Sequence, residues 1–245
     1  MDLWGLSYSP WTEQAKWALE HHRIEYRLHP YVPFVREAAL RFQMKKFWGR
    51  VTVPVLIDGK TVYPDSLDII RLADRIGQGE PLLPPELAQQ AESWKARADA
   101  TLSAARGLVT RRVRASDAAL RESVPRGTPE WLKRPLAVSG LWLFSRKYGL
   151  PADGSSDEAR IAETLDALRA ELLRSGGQYV LGRFSLADIS MAAMLQIVKP
   201  VDARYMKLSE GMRESWATPI LAERYEDLLA WRDTVYARHR PVLAR

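Results

Sequence analysis

Apolar positions change their period once along this chain. Up to residue 76, short apolar runs of strand length alternate with stretches of helical spacing; from Leu87 onward only the helical spacing recurs. The pattern predicts a strand over 2–7, a helix over 10–22, a strand over 25–28 and a more irregular helical stretch over 35–48. A strand interrupted by Pro54, a turn at Asp58-Gly59, a second strand and the amphipathic helix SLDIIRLADRIG follow. This β-α-β-α-β-β-α order with short connections is that of a compact α/β unit. GQGEPLLPPE, residues 77–86, concentrates Gly and Pro where the composition changes. The chain therefore divides into an α/β domain over 1–78, a linker over 79–86 and an all-helical domain over 87–245. In the last, helices are predicted over 88–113, 129–148, 157–175, 186–198 and 220–238, with Ser156 or Asp157 as a cap.

Pro54 is the unusual residue of the first domain. It has no N–H for a ladder, so it either places its run at a sheet edge or sits in a cis bond that exposes the backbone of Val53. Beyond the hairpin, Asp65 and Ser66 stand at the mouth of a helix, where Ser66 is placed to cap it and free N–H groups favour an anion. Together these features outline a cradle for a small anion. In the second domain, FSLADI (184–189) carries a capping-box pattern, with Ser185 at the N-cap, Asp188 three residues on and Phe184 placed to staple onto Ile189.

Composition narrows the chemistry. A chain of 245 residues buries a substantial core. Thirty-six Lys and Arg against thirty Asp and Glu give a net charge of +6 spread along the chain; this permits nucleic-acid binding without requiring it and suits an anionic small substrate equally. There is no cysteine, which excludes disulfides, protein thiolate nucleophiles and thiolate zinc sites together, so any thiol chemistry comes from a ligand. MDLWGL does not read as a secretory signal, and no window approaches the roughly 18 apolar residues of a membrane span. The expectation is a soluble, cytoplasmic protein.

His21, His22, His29 and His239 include no pair at helical ligand spacing, so no metal site is expected. Neither Asp65 with Asp68 nor Glu37 among its basic neighbours has the context of a carboxylate acid–base pair. Arg106, Arg111, Arg112 and Arg114 read as the solvated basic face of a long helix, in preference to an RNA contact or a lure for anionic substrate. Trp131, Trp142, Phe144 and Tyr148 read as core or interface, with one or two placed to line a pocket together with Trp11.

SYSPWTEQAKWAL after the first strand, VPVLIDGKTVYPDS, and the FSLADI box with its spacing to the C-terminus resemble the cytosolic glutathione transferases, over nearly the whole chain. The resemblance implies an α/β plus all-α fold: a thioredoxin-like N-terminal domain that holds glutathione, then an all-helical domain that shapes the pocket for an electrophile. It implies a cis bond at Pro54, strand-like pairing of the Val53 backbone with the cysteinyl part of glutathione, and Asp65 and Ser66 at the γ-glutamyl end. Asp65 stands where Glu or Gln is often found. For the glycine carboxylate it points to a cation or amide just before this strand, Arg50 first, with Lys45, Lys46 and Gln43 as alternatives. The motif departs at Val51 and Thr52, where some members carry Lys or Gln.

By itself, Ser9 is a helix N-cap followed by Pro10 at the first helical position. Serine-type members place their catalytic hydroxyl here, so the resemblance implies that Ser9 donates a hydrogen bond to the glutathione sulfur. Tyr8 is the rival, because tyrosine-type members use a phenol near the end of the first strand, while Ser7 is expected to end that strand. With Ser9 and Thr12 in place of a C-P-x-C arrangement, dithiol exchange by the protein is excluded. A free thiol near pKa 8.5 is about 3% ionised at pH 7. A hydrogen bond to the charged sulfur contributes roughly 1.5 to 3 kcal/mol, or about one to two pKa units. The helix N-terminus adds about 0.3 to 1 kcal/mol, enough together for thiolate to predominate.

The expected function is conjugation of the glutathione thiolate to a small hydrophobic electrophile, with glutathione as co-substrate and no cofactor or metal. The alternatives are a non-catalytic binding or scaffold module of the same fold, or a glutathione-dependent peroxidase or isomerase. A homodimer is implied, the N-terminal domain of one subunit against the helices of the other, with neither nucleic acid nor membrane as partner.

Overall fold

The structure, a computed structural model, describes residues 1–33, 35–125, 127–150 and 157–240. Its first part is built from β1 (Asp2–Gly5), α1 (Pro10–His21), β2 (Arg27–Pro30), α2 (Glu37–Met44), β3 (Val55–Asp58), β4 (Thr61–Tyr63) and α3 (Ser66–Ile76). The strands form one sheet in the order β2-β1-β3-β4, with β1 parallel to β2 and antiparallel to β3. This is the thioredoxin-like arrangement. Helices follow: α4 (Ala88–Ala115), α5 (Asp117–Glu122), α6 (Glu130–Tyr148), α7 (Asp157–Ser175), α8 (Leu186–Met194), α9 (Glu210–Trp216), α10 (Pro219–Arg224) and α11 (Glu226–His239).

Several local expectations are corrected by tertiary contacts. β1 stops at Gly5, and Ser7 lies beyond it in an exposed turn. The first turn of α1 sits on the end of this strand so closely that a Cβ at Gly5 would lie 2.3 Å from Cγ2 of Thr12. β2 begins at Arg27 rather than Glu25, because its register is set by pairing with β1, Asp2 opposite Arg27 and Gly5 opposite Pro30. The His29 ring stacks on Trp4 at 5.0 Å and its Nε2 lies 2.6 Å from the Asp2 carboxylate. Pro54 is not in an edge strand: it precedes β3, an interior strand between β1 and β4, and the Val53–Pro54 bond is cis. The cap of α3 is Asp65, whose carboxylate accepts from the Asp68 N–H at 2.9 Å, while Ser66 is the first helical residue.

In the helical part, α8 ends before the expected boundary and continues as a 3-10 turn over Leu195–Ile197. The helix expected over 220–238 is broken at Tyr225, a buried residue whose hydroxyl donates to Asp166 at 2.7 Å. α5 and α9 are not legible in the sequence, since one or two turns carry too little periodicity to read. The cap expected at Ser156 or Asp157 rests on side chains outside the described residues.

A single apolar core runs through both parts, from Leu3, Trp17, Leu56 and Ile69 into Ala91, Leu102, Leu165, Leu186 and Ile189. A smaller cluster of Trp4, Tyr31, Leu40, Val55 and Ile57 lies apart from it, between the sheet and α2. The Gly/Pro-rich connection is pinned rather than loose. Leu82 is fully buried, and the N–H groups of Leu82 and Leu83 donate to Asp74 at 3.0 and 2.7 Å. At the far end of the chain, the Trp17 indole donates to the His239 carbonyl at 2.8 Å, and Arg240 donates to Glu13 at 2.7 Å and also binds Glu20. No helix among the described residues is long and apolar enough to cross a membrane.

The Ser185–Asp188 capping box is present and wholly buried. Asp188 accepts from the Ser185 N–H at 2.9 Å, the Ser185 hydroxyl at 3.1 Å and, beyond the box, the Val180 N–H at 2.8 Å. Burial pushes its carboxyl up to about 7, and these three donors pull the other way. Phe184, just before the cap, stacks flat on His239 with centroids 3.9 Å apart. Replacing Asp188 by Ala strands two buried N–H groups, each costing roughly 1–3 kcal/mol. Urea unfolding of Asp188→Ala is expected to show a loss of about 2–5 kcal/mol; a loss below about 1 kcal/mol would show that the box does not anchor α8.

Candidate active site

Sheet register brings the sequence-predicted residues together. Leu3 pairs with Leu56 and Trp4 with Val55, so the C-terminal end of β1 lies beside the N-terminal end of β3. Leu56 also pairs with Tyr63, so β4 finishes at that same end. The chain thus delivers Ser9 after β1, Val53 and Pro54 before β3, and Asp65 and Ser66 after β4 to one end of the sheet. α1 and α3 both start there and pack on each other, placing two helix N-termini at this end.

Ser9 is nearly buried and caps α1: its Oγ accepts from the Thr12 N–H at a long 3.4 Å. A serine hydroxyl that accepts one bond keeps its own O–H to donate. Ser66 is buried at the first turn of α3, and its hydroxyl has no hydrogen-bond partner among the described residues. Asp65 and the flanking Thr52 are exposed, whereas Val53 is half-buried and Pro54 buried. Tyr8 sits next to Ser9 with its ring edge-on to Trp216 of α9 at 6.1 Å. Burial, and then the neighbouring Tyr148, push its phenol up. That weakens the case for it as the more acidic donor, since a phenol held above its ordinary range gives up its proton less readily.

Arg50 does not lie free beside the strand. Its guanidinium carbon is 4.4 Å from the centre of the Tyr148 ring, at the end of α6. Of its alternatives, Gln43 accepts from the Trp4 indole at 2.9 Å, and Lys45 and Lys46 are exposed just past α2. The same Tyr148 ring receives a second guanidinium, Arg106 of α4, at 4.2 Å, and Arg106 also lies 4.8 Å from the ring centre of Trp11, two residues beyond Ser9. Burial draws Arg106 below the usual arginine range; Arg50 pushes the same way and Tyr148 opposes. The solvated-face reading of this helix holds for the exposed Arg114 and is corrected for Arg106 and Arg112. Arg106 is half-buried in the cleft, and Arg112 donates to the Ala217 carbonyl, the Thr218 hydroxyl and Glu158. Nothing in a linear charge pattern marks Arg106 off from its neighbours; its i,i+4 relation to buried Leu102 and half-buried Thr110 was the available signal.

Beside this cluster a cavity of about 570 Å³ opens between α2 and α6, lined by Glu37, Ala38, Arg41, Arg50, Leu143, Arg146 and Lys147. None of Ser9, Val53, Asp65 or Ser66 lines it. Glu37 ties the two halves of the molecule across it, accepting from Arg41 at 2.8 Å, Lys147 at 2.8 Å and the Tyr31 hydroxyl at 2.9 Å. Among the described residues no group of three or more side chains is arranged to hold a metal ion.

The glutathione S-transferase N-terminal domain model matches residues 3–81, and the glutathione S-transferase C-terminal domain model matches residues 89–234. The chain belongs to the glutathione S-transferase family. Solved structures of family members share its fold at low identity. One from Rhodospirillum rubrum F11 aligns over 100% of this chain and 92% of its own, at 17% identity and a TM-score of 0.62. A glutathione transferase family member from Pseudomonas fluorescens Pf-5, with bound glutathione, aligns over 98% and 95% at 20% identity and a TM-score of 0.57. A glutathione S-transferase from Methylobacillus flagellatus KT, also with glutathione bound, aligns over 98% and 95% at 16% identity and a TM-score of 0.57. No curated protein matches. The family uses glutathione as a co-substrate, not as a resident cofactor.

The Glu37 tie makes the link between α2 and α6 acid-sensitive. Burial opposes its charge, but Lys147, Arg41 and Tyr31 outweigh that and draw the carboxyl down to about 2. A carboxyl depressed below its unfolded value of about 4.3 contributes stability above that pH and loses it as pH falls through the folded value. The unfolding free energy should therefore drop less steeply for Glu37→Gln than for the unsubstituted protein between about pH 4.5 and 2. Parallel slopes in that window would show that the tie contributes nothing.

Proposed function

We propose that this family member is a glutathione transferase of serine type, conjugating the glutathione thiolate to a hydrophobic electrophile. On this reading residues 1–78 hold glutathione, 79–86 connect, and 87–245 bind the second substrate in the cytoplasm. The observation that carries it is the convergence of the Ser9 hydroxyl, the Val53 backbone and the Asp65–Ser66 pair at one end of the sheet, over two helix N-termini. An extended tripeptide laid along the Val53–Pro54 edge places its α-amino group at the Asp65 carboxylate and its α-carboxylate at the Ser66 N–H and hydroxyl. Arg50, which precedes this strand, is the cation assigned to the glycine end. The sulfur then lies beside the Ser9 hydroxyl, which donates to it and favours thiolate over thiol.

Chemistry follows from that ionisation. The thiol proton leaves to solvent, and the sulfur lone pair forms a bond to the electrophilic carbon while the leaving group departs with its electron pair. Tyr8, Trp11, Tyr148 and Trp216 supply the aromatic surface beside Ser9 that suits a hydrophobic electrophile. Ser9→Ala is expected to lower kcat/KM for an aryl halide by about 10- to 100-fold, the equivalent of one hydrogen bond to a charged sulfur. The thiolate absorbance of bound glutathione should titrate about one to two pH units higher in that variant. Unchanged activity and an unchanged titration would remove Ser9 from the role. Tight glutathione binding without turnover on any electrophile would instead favour a binding module.

A homodimer also belongs to this reading. Phe42, Phe47 and Trp48 on and after α2, and Trp131 and Trp142 on α6, are exposed, Trp48 by 88%. Bulky aromatic surface of this kind is the usual material of a subunit interface. Sedimentation should show a dimer, and Trp48→Glu should shift it toward monomer while glutathione binding is retained. A monomer at micromolar concentration for the unsubstituted protein would refute it.

A further inference from the structure

The two guanidiniums at Tyr148 differ in what they have to do. Arg50, before β3, is assigned above to the glycine end of glutathione. Arg106 comes from the other side of the cleft, from α4, and its positive charge is held half-buried between the rings of Trp11 and Tyr148. A cation is attracted to aromatic faces, but that contact uses none of the five N–H donors of a guanidinium. Among the described residues no acceptor takes a hydrogen bond from Arg106 and no carboxylate pairs with it, and none of its nitrogens is sealed from solvent. Its donors are therefore left to solvent or to a ligand. Other arginines that reach across the helical part are hydrogen-bonded: Arg112 reaches two acceptors at α9 and α10 and one at α7, and Arg169 grips Asp227 with two nitrogens.

Two like charges share one ring here, with centroid distances of 4.4 and 4.2 Å, and one glutathione carboxylate neutralises only one of them. We propose that Arg106 binds an anionic group on the second substrate, so that the electrophile is a flat aromatic or unsaturated carboxylate rather than a purely hydrophobic molecule. Trp11, Tyr148 and the neighbouring Tyr8 give the guanidinium aromatic surroundings that suit the flat part of such a molecule, and Arg106 offers paired N–H donors to its carboxylate. This rests on the glutathione-binding reading given above and adds the chemical class of the partner substrate.

The test is direct binding, which needs no turnover. Calorimetry on the full-length protein compares glutathione, S-(para-carboxybenzyl)glutathione and the ring methyl ester of that conjugate. The acid should bind about tenfold or more tightly than the ester, as one charge-assisted hydrogen bond requires. Arg106→Met should bring acid and ester to parity and leave glutathione affinity within about twofold, and Arg106→Lys should keep part of the preference. Equal affinity for acid and ester on the unsubstituted protein, with glutathione still bound, would overturn this proposal alone. A drop for glutathione, acid and ester alike in Arg106→Met would assign the residue to glutathione's own glycine carboxylate and overturn it too. Failure of all three ligands to bind the unsubstituted protein would remove the glutathione reading beneath it.

Discussion

The pairing of β1 on both its edges is the constraint from which the rest of this structure follows. Parallel pairing with β2 and antiparallel pairing with β3 make the sheet mixed, and the antiparallel side is what matters for chemistry. Because β3 runs against β1, the end of one strand meets the start of the other, and the hairpin returns β4 to the same place. Three loops far apart in sequence thereby share one end of a four-stranded sheet. Side-chain alternation holds this register, since Leu3 and Leu56 face the main core while Trp4, Val55 and Ile57 face the smaller cluster near α2. A slip by one residue would exchange these faces and bury Asp2 in place of Leu3.

α1 then links the site to the helical part. Its N-terminus carries Ser9, and its middle carries Glu13, Lys16 and Trp17, which are buried against the end of the chain. Glu13 loses its hydration there, yet Arg240 and Lys16 hold its carboxyl low. Buried ion pairs of this kind add little net stability against their desolvation cost. Their geometric demand is strict, however, and the Trp17 indole to the His239 carbonyl adds a second fixed point. One helix thus carries both the proposed thiol partner and the seam to α8 and to the segment after α11. The pinned connection at Leu82 and the His22–Asp74 contact at 2.6 Å close the other side.

The cleft formed this way is aromatic and positive. Trp11, Tyr148 and Trp216 arrive from α1, α6 and α9, and Arg106 from α4. Charge in such a place is more consequential than on the surface, because low local polarity strengthens any anion contact it makes. The neighbouring Glu37 knot shows the contrasting case. There a carboxylate already satisfies Arg41 and Lys147, and the result is a tie between α2 and α6 rather than a receptor.

Local sequence carried the element order of the α/β part, the hairpin turn at Gly59, the boundaries of α7 and the capping box of α8, because these depend on periodicity, turn residues and bonds between near neighbours. It also placed Ser9, Val53, Pro54, Asp65 and Ser66 at loop and helix starts, the positions at which strands hand over to helices. What it could not determine was decided by partners distant in the chain. β2 took its limits from pairing with β1, the 220–238 helix broke where Tyr225 found Asp166, and Asp65 rather than Ser66 became the cap in the folded turn. Arg106 is the clearest instance: it shares a helix with the cations Arg111, Arg112 and Arg114, and only the packing of α4 against Trp11 and Tyr148 separates it from a solvated face. Short-range rules are written in adjacent residues, whereas the surroundings of a charge are set by whichever elements the core brings alongside it.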